Sequence, residues 1–523
     1  MHARLLHPTI RHARTLLCCL PLACVPAAAQ ALPATEDRRL QPADGAAGDR
    51  FGAAVAVDGH RALIGAVFDD DSGDDAGSAY LYDARSGQLL RKLLAGGPVS
   101  EVFGFADDFF GHAVALRGSL AVVGAVNSSA AGTNAGAVYV FDADTGAQRA
   151  KLLPTGPRPG EPPAFQAFGF SVALAQSRIV VGAPGDVTRR SGGGAMYLYD
   201  ATTLARTAKV FPSDPGVADN FGRVVAAAGD VAVASSMFDD DRGLDSGSAY
   251  VFDALTGQQR FKLRAADGAA GDLFGFSLAA HGHLLAVGAP FDDDRGADSG
   301  AVYLFDTRTG QQLAKFTPAD GAAGDRFGWS VGLTAERLTV GAPLDDEAAV
   351  DAGAVYVFDI ATGAQLAKRL ASDALGGDAV GSTLAIAGDT VVAGAQTGDD
   401  AGAVVVFSLD GGDPGVPTTL RVAGIEPGVV ADGRLRQRAQ VAVGIVDDLG
   451  NPVQGATVVV ALTGGVAETL SGLTGASGVA TLVSTQSVRV PRGGTLSYQA
   501  CVTAVTGPLP YDPETDAETC DGR

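Results

Sequence analysis

Short runs of apolar or small residues alternate with Gly, Asp and Asn turns along most of the chain. One stretch shows the pattern well: FGFSLAA, LLAVGAP, AVYLFD and QQLAKF follow one another between residues 274 and 316. Runs of this length, rich in Val, Tyr and Phe and bounded by turn residues, are typical of β-strands. Since the stretch shows no helical periodicity, the pattern predicts an all-β protein of antiparallel strands.

This four-strand pattern occurs seven times. Each repeat begins with Phe-Gly, or with Val-Gly in the last copy, at intervals of 53 to 59 residues. The first residues of these pairs are Phe51, Phe110, Phe168, Phe221, Phe274, Phe327 and Val380. Repeats of this length and strand content are typical of propeller blades, each of which buries its apolar faces against its neighbours. The sequence therefore predicts a seven-bladed β-propeller over residues 36–410.

The seventh repeat lacks a fourth strand, because its third strand runs into the Gly- and Pro-rich segment SLDGGDPGVP. A matching segment stands at the other end of the propeller. Residues 38–52, RRLQPADGAAGDRFG, resemble residues 314–328, AKFTPADGAAGDRFG, which end one repeat and start the next. We expect residues 36–41 to pair beside residues 403–407 and close the ring. Closure removes the exposed strand edges that would otherwise template aggregation.

Three motifs carry a family resemblance. The Phe-Gly start, the Gly-Ala-Pro turn at residues 182–184, 288–290 and 341–343, and the closing Gly-Ala-Val-Tyr-Val-Phe resemble FG-GAP repeats, the blades of integrin α-subunit propellers. The resemblance covers residues 51–407. It implies the propeller fold, whereas function has to be argued from individual sites. Calcium-binding integrin blades carry an Asp-rich loop between the Phe-Gly and Gly-Ala-Pro segments, but here a short turn such as residues 58–61 takes its place, so that site is not transferred.

Carboxylates concentrate instead in the loop between the second and third strands of several blades. Clustered carboxylates suit Ca²⁺, which takes roughly six to eight hard oxygen ligands. The candidate ligands are Asp69, Asp71, Asp75, Asp239, Asp241, Asp245, Asp292, Asp294, Asp298, Asp345 and Asp351. The alternative is that Asp and Gly only form and solvate the turns. Blades two and three carry Asn, Ser, Thr and Arg at these positions, which favours that alternative there.

A second acidic group precedes six of the seven repeats. An Asp stands two residues before the Phe or Val in six of the seven blades: Asp49, Asp108, Asp219, Asp272, Asp325 and Asp378. Both acidic loops of a four-stranded meander emerge on one face. We therefore expect one rim of the disc to be strongly negative, with Ca²⁺ as its candidate ion.

The amino-terminal 29 residues predict a signal peptide. Three arginines precede the short apolar run LLCCLPLACV, and small residues at 27–29 fit a cleavage site before Gln30. Lipid attachment at Cys24 is the alternative. We expect an exported protein that is secreted, on the cell surface or in the periplasm, with no membrane insertion after cleavage.

Cysteine usage and charge agree with export. Cys501 and Cys520 remain after cleavage, an even pair that could form one disulfide in an oxidising compartment. The formal net charge is −21. Nucleic acids and anionic membrane surfaces require clusters of Lys and Arg, so this charge argues against both as partners.

A second module follows the predicted linker at residues 411–417. Within residues 418–523, the segments 418–422, 439–446, 456–462 and 478–484 have the composition of strands. Residues 446–456, VDDLGNPVQGA, resemble a turn of bacterial Ig-like domains of the invasin and intimin type. This resemblance implies a small β-sandwich, a module that commonly serves as a spacer.

No catalytic constellation is evident. His281 and His283 could form a metal pair, but no third ligand is apparent. Serines such as Ser235 and Ser236 have no Gly-x-Ser-x-Gly context and no triad partners at recognisable positions. The recurrent Asp-x-x-Thr-Gly turns are similar to those of quinoprotein propellers, whose blades are docked by a repeated Trp, whereas this chain has one, Trp329. We therefore predict no catalytic residues and no organic cofactor.

The remaining hypothesis is a recognition or adhesion protein whose propeller loops bind an extracellular protein or glycan. Two alternatives stay open: a structural envelope scaffold without a specific ligand, and a propeller hydrolase or quinoprotein. No single loop contains the aromatic and arginine anchors that are typical of binding hot spots, so the sequence does not rank the first two.

Overall fold

The computed structural model describes residues 36–96, 108–156, 158, 160–395, 401–409, 420–433, 435–447, 452–491, 494–509, 511 and 520–522. The predicted signal peptide, the lipid-anchor alternative at Cys24 and the 411–417 linker lie outside these residues. All regular secondary structure within them is β-strand, which confirms that the fold is all-β. This part of the chain contains no helix with the length and apolarity needed to cross a bilayer.

Seven antiparallel sheets of four strands each occupy residues 38–408. After β1 (Arg38–Leu40), the first sheet contains β2 (Phe51–Asp58), β3 (Arg61–Ala66), β4 (Ser78–Asp83) and β5 (Leu89–Leu93). The second contains β6 (Phe110–Arg117), β7 (Leu120–Ala125), β8 (Ala137–Asp142) and β9 (Gln148–Leu152). The third contains β10 (Val172–Leu174), β11 (Arg178–Ala183), β12 (Ala195–Asp200) and β13 (Arg206–Val210).

The next three sheets repeat the same order of strands. The fourth contains β14 (Val225–Ala228), β15 (Val231–Ser236), β16 (Ser248–Asp253) and β17 (Gln259–Leu263). The fifth contains β18 (Ser277–His281), β19 (Leu284–Ala289), β20 (Ala301–Asp306) and β21 (Gln311–Phe316). The sixth contains β22 (Ser330–Leu333), β23 (Arg337–Ala342), β24 (Ala354–Asp359) and β25 (Gln365–Arg369).

The seventh sheet combines the two ends of the repeat region. It contains β26 (Leu384–Ala387), β27 (Thr390–Ala395), β28 (Ala403–Ser408) and, as its fourth strand, β1. In the antiparallel pair of β1 and β28, Leu40 lies opposite Val404 and Arg39 lies opposite Val405. Glu36 accepts hydrogen bonds from the backbone N–H and the hydroxyl of Ser372, which fixes the start of this strand.

The seven sheets form a closed ring. Their first strands, β2, β6, β10, β14, β18, β22 and β26, contact one another in this order, and β26 contacts β2. A separate hydrophobic cluster fills each space between neighbouring sheets. The cluster between the seventh and first sheets joins Val392 and Val404 to Phe51, Ile64 and Tyr80. This arrangement fits a seven-bladed propeller whose core is distributed around the ring.

The repeated Phe-Gly and Gly-Ala pairs have a steric explanation. Phe274 is buried and packs edge-to-face on Tyr303, with the ring centroids 5.6 Å apart. Its backbone N–H donates to the carbonyl oxygen of Ser246 in the preceding blade, at 3.1 Å. A Cβ added at Gly288 would lie 2.1 Å from the carbonyl oxygen of Gly328 in the next blade. Only glycine allows the two backbones to approach this closely.

Residues 420–522 contain two further antiparallel sheets. One comprises β29 (Leu420–Ala431), β30 (Arg436–Asp447), β33 (Val479–Val483) and β34 (Val488–Arg489). The other comprises β31 (Thr457–Gly464), β32 (Glu468–Leu473), β35 (Tyr498–Thr506) and β36 (Cys520–Gly522). One hydrophobic cluster contains residues of both sheets, among them Val441 and Val460.

The four strands predicted in this region are present with shifted ends, whereas β32, β35 and β36 lack a clear sequence signal. Cys501 in β35 and Cys520 in β36 form the expected disulfide. Residues 448–451, in the middle of the Ig-like turn motif, lie outside the described residues. The Ig-like sandwich therefore stays a prediction.

Candidate functional site

The two acidic loops of each blade lie on the same face of the ring. The loop between the second and third strands contacts the segment that starts the next blade: the N–H of Phe327 donates to the carbonyl oxygen of Ser299, at 3.0 Å. The inter-blade loop also contacts the loop between the second and third strands directly, because the N–H of Gly271 donates to the carbonyl oxygen of Leu244, at 2.9 Å. The predicted calcium ligands are thus brought together on one rim, blade by blade.

A lysine ammonium lies at the centre of the carboxylates in four blades. In the fifth blade, Lys315 Nζ is 2.9 Å from Asp267, 2.9 Å from Asp292 and 2.5 Å from Asp294. The hydroxyl of Tyr303 donates to Asp292 at 2.7 Å, and Lys315 Nζ lies 5.1 Å from the centroid of that tyrosine ring. We call this arrangement of one lysine, one tyrosine and three carboxylates a lysine cage. Each cage ties strand, loop and inter-blade segment together.

The other three cages have the same composition. Their lysines and acidic partners are Lys92 with Asp44, Asp69 and Asp71; Lys262 with Asp214, Asp239 and Asp241; and Lys368 with Asp320, Asp345 and Glu347. The third blade keeps a single pair, Lys209 with Asp186, at 2.7 Å. The second blade has Ser128 in place of the buried Asp. In the four cages and in the Lys209 pair, an internal ammonium therefore contacts carboxylates of the acidic loops.

The pKa values of the four cage lysines are raised. Burial alone would lower the pKa of Lys315, but hydrogen bonds to Asp294, Asp292 and Asp267 outweigh it and raise that pKa. Burial, together with the hydrogen bond to Asp292, raises the pKa of Tyr303, so its hydroxyl remains a donor. Asp272, in the adjoining inter-blade loop, has no such cation in direct contact, and burial raises its pKa to about 6.

The remaining candidate ligands, Asp75, Asp245, Asp298 and Asp351, occupy turns. Each has a positive φ, between 49° and 55°. The backbone N–H of Asp298, for example, donates to Oδ1 of Asp293 at 2.9 Å. Asp tolerates this left-handed conformation better than most residues, so these contacts match the turn-forming alternative.

One group of carboxylates nevertheless has the proximity of a metal site. Oxygen atoms of Asp214, Asp239 and Asp241 lie within 4.8 Å of one another, and within the described part of the chain no other group of three acidic, His or Cys residues does so. This group could hold a metal ion. The same three carboxylates bind Lys262, at 2.7 to 2.8 Å.

The Asp-x-x-Thr-Gly turns lie at the opposite ends of the strands and are explained by local hydrogen bonds. Oδ1 of Asp359 accepts from the backbone N–H of Thr362 at 2.8 Å and from its hydroxyl at 2.7 Å. These are Asx-type turns that stabilise the connection between third and fourth strands. Their similarity to quinoprotein turns therefore needs no cofactor to explain it.

Aromatic and arginine side chains surround the ring axis on the same face as the acidic loops. They occupy the third position of the repeat, at the start of the innermost strand. In the seven repeats this position holds Ala53, His112, Phe170, Arg223, Phe276, Trp329 and Ser382. Contacts join this position in neighbouring blades, with ring centroids 4.7 Å apart for His112 and Phe170 and 4.4 Å apart for Phe276 and Trp329. Arg223 lies over Phe170, 4.8 Å from the ring centroid. We call the five large residues, His112, Phe170, Arg223, Phe276 and Trp329, the collar.

A further arginine covers the collar from an inter-blade loop. The guanidinium carbon of Arg326 lies 5.5 Å from the Trp329 ring centroid and 5.1 Å from that of Phe291. A similar contact of an arginine with an aromatic ring occurs at the first two blades, where the guanidinium carbon of Arg50 lies 4.8 Å from the ring centroid of Phe68. Arg326, like the collar residues, is partly exposed, whereas Arg50 is exposed.

The sequence shows no group of aromatic and arginine anchors within one loop, but the folded ring gathers such side chains from several blades. Each loop taken alone contributes one such side chain, and neighbouring members of the collar are 53 or 58 positions apart in the sequence. Only the ring brings them into contact. Aligning the repeats and comparing the residue after each Phe-Gly pair would have shown the concentration of large side chains in five adjacent blades.

Comparison with known proteins gives one family. The model described as FG-GAP repeat matches residues 34–82, 104–141, 148–199, 205–252, 258–305, 311–358 and 364–407. These matches cover more than half of the chain and all seven blades. No curated protein matches the chain.

Proposed function

Because the chain belongs to the FG-GAP repeat family, we propose that it is a non-enzymatic recognition or adhesion protein whose propeller binds an extracellular protein or glycan. The collar is the observation that carries this proposal. Partly exposed aromatic and arginine side chains, gathered at one place, are the residue types that supply most of the binding energy in protein interfaces. The collar lies on the face formed by the longest loops of the blades, where a partner has access.

The lysine cages support a binding role through rigidity. Each cage fixes the loop of one blade against the segment that begins the next, as the contacts of Lys315 with Asp267 and Asp292 show. A surface that is already ordered loses less conformational entropy when a ligand binds. The face around the collar is therefore preorganised.

The compartment and the second module complete the proposal. A disulfide between Cys501 and Cys520 suits an oxidising compartment, in agreement with the signal peptide proposed at residues 1–29. We propose export to the cell surface, the periplasm or the medium. Residues 420–522 would act as an Ig-like spacer that holds the propeller away from its attachment point.

We also propose that calcium stabilises the acidic rim, and a melting experiment tests this part of the proposal. An ion bound to Asp214, Asp239 and Asp241 would have to displace Lys262 from the same oxygens. Melting the purified protein in calcium chloride and in EDTA tests this. An unchanged melting temperature would remove the metal from the proposal and leave the ammonium as the only cation.

The binding function is tested with the full chain against immobilised extracellular proteins and a glycan array. We expect saturable binding that the double variant Phe276→Ala/Trp329→Ala loses. Leu255→Ala is the matched control, because Leu255 is an equally apolar, exposed residue in a turn at the opposite ends of the strands. Absence of saturable binding by the unchanged protein, or equal binding by the double variant, would overturn the proposal and favour the scaffold alternative.

A further inference from the structure

Three arginines on the same face of the ring as the collar have no carboxylate partner among the described residues. Among the residues that the structure describes, Arg50, Arg223 and Arg326 form no ion pair and donate no side-chain hydrogen bond, and each is seated on an aromatic ring. Lys151 over Tyr139 and Arg189 over Phe211 share this arrangement, although carboxylates outnumber cations in a chain with a net charge of −21. Lys92, Lys262, Lys315 and Lys368 on the same face each bind several carboxylates. The fold thus neutralises these four lysines and leaves Arg50, Arg223 and Arg326 unpaired within the described part of the chain.

From this contrast we propose that the collar binds an acidic segment of a partner protein, in which a carboxylate stands next to an aromatic or aliphatic side chain. The inference rests on the proposed function and specifies its ligand. Arg223 and Arg326 would bind the carboxylate, and the rings of Phe276 and Trp329 would contact the apolar side chain.

Desolvation makes the two inner arginines strong anion sites. The Nε atom of Arg326 is buried and has no hydrogen-bond partner in the described residues. Arg223 is half-buried, and that burial lowers the pKa of its guanidinium group. A charge removed from water without a counter-ion is unfavourable, and an incoming carboxylate relieves that penalty where the local dielectric constant is low.

Stacking leaves the hydrogen-bonding edges of the guanidinium groups available. An arginine that lies over an aromatic ring presents one face to the ring, while its N–H groups point along the plane and can form a bidentate pair with a carboxylate. The guanidinium carbon of Arg326 lies over the rings of Trp329 and Phe291, and that of Arg223 lies over Phe170. The aromatic residues therefore position the cations as well as offering apolar surface.

The covered aromatic faces favour a peptide over a sugar. In the blades next to the ring closure, the third position holds the small residues Ala53 and Ser382, so the large side chains are confined to the other five blades. Sugars stack on free aromatic faces, but arginine covers a face of Phe170, of Phe291 and of Trp329. The charge pattern and the covered rings together favour an acidic peptide.

Trp329 makes the test site-specific, because it is the single tryptophan of the chain. The full-length protein is titrated with the blocked hexapeptide Gly-Asp-Phe-Asp-Leu-Gly, and binding is followed by tryptophan fluorescence and by calorimetry. The matched control peptide has Asn in place of both Asp residues. We expect the acidic peptide to bind at least tenfold more tightly than the control, with an affinity that falls as sodium chloride is raised.

Single-residue variants show which arginines bind the acidic peptide. Arg223→Gln and Arg326→Gln should each weaken binding of the acidic peptide at least fivefold without a change in the urea midpoint. Arg308→Gln, at the opposite ends of the strands, should bind normally. Equal affinity for the Asp and Asn peptides, or no effect of either collar variant, would overturn the proposal.

A glycan arm separates this inference from the proposed function. If an oligogalacturonate binds in a Trp329-dependent way and the peptide does not, recognition stands and the peptide assignment is wrong. If neither probe binds but the Phe276→Ala/Trp329→Ala variant loses a partner from the protein array, the acidic-segment inference fails and recognition stands. If neither probe binds and the Phe276→Ala/Trp329→Ala variant loses no partner from the protein array, the recognition proposal fails as well.

Discussion

The ammonium of Lys315 lies 2.9 Å from a carboxylate oxygen of Asp292, whose side chain is only 5% exposed. A buried carboxylate of this kind is tolerated because the cation and the Tyr303 hydroxyl satisfy it. The same relationship recurs for Lys92, Lys262 and Lys368. Many carboxylates of these acidic loops therefore belong to internal ion pairs.

Replacing Lys315 with Met should lower the free energy of unfolding by about 3 kcal/mol, because three carboxylates lose their cation and one of them is buried. Urea denaturation monitored by circular dichroism measures the change. Arg308→Gln removes an exposed pair with Asp306 and should leave the midpoint almost unchanged. Equal midpoints for Lys315→Met and the unchanged protein would contradict the cage.

Removing the ammonium of Lys262 should make the fourth blade respond to calcium. Asp214, Asp239 and Asp241 are close enough to share an ion once Lys262 no longer occupies their oxygens. We expect calcium to raise the melting temperature of Lys262→Met by more than it raises that of the unchanged protein. Lys209→Met is the control, since its blade offers the single carboxylate of Asp186. A response of equal size in all three proteins would rule out this site.

Leu40 should be essential to ring closure. It is 2% exposed and belongs to the hydrophobic cluster between the seventh and first blades. Leu40→Ala should lower the free energy of unfolding by about 2–4 kcal/mol and speed proteolysis within β1. Leu313→Ala, on the outer strand of the fifth blade where the side chain is 52% exposed, should change stability little. Similar effects of the two substitutions would contradict a closing role for β1.

Asp272 should produce a distinctive pH dependence. Burial raises its folded pKa to about 6 from an ordinary value of 3.8. The folded state then holds more protons than the unfolded state between these values, so stability falls as the pH rises from about 4 to about 6. Asp272→Asn should remove this part of the slope.

Asp306 provides the control of opposite sign. Its hydrogen bond to Arg308 lowers its pKa to about 2, so its contribution is present above about pH 4 and disappears as the pH falls towards 2. Urea midpoints measured from pH 2 to 8 for both Asn variants distinguish the two effects. Parallel curves for Asp272→Asn and the unchanged protein would show that Asp272 titrates normally.

The blade architecture could be predicted from the sequence because its determinants are local and repeated. β20 and β21 begin and end where the AVYLFD and QQLAKF runs do. The match between residues 38–52 and 314–328 also indicated where β1 pairs, since the pattern before Phe51 is the pattern before Phe327. Strand β18 starts later than its apolar run, at Ser277.

The candidate site was harder to predict because its contacts are long-range. Lys315 follows Asp292 by 23 residues and Asp267 by 48, so no local motif links the ammonium to its carboxylates. The collar depends on contacts between neighbouring blades, as between Phe276 and Trp329. Composition revealed the excess of carboxylates, whereas the pairing of each lysine with them requires the folded ring.

The closing strand also sets an order of events during synthesis. Asp37, next to β1, bonds to Ser408, 371 positions later, so the first part of the propeller to leave the ribosome must wait for the last. Contacts of such large sequence separation form slowly. Until they form, both β28 and β1 are unpaired edges that could join a second molecule. If the chain is exported as proposed, translocation in an unfolded state would avoid that hazard.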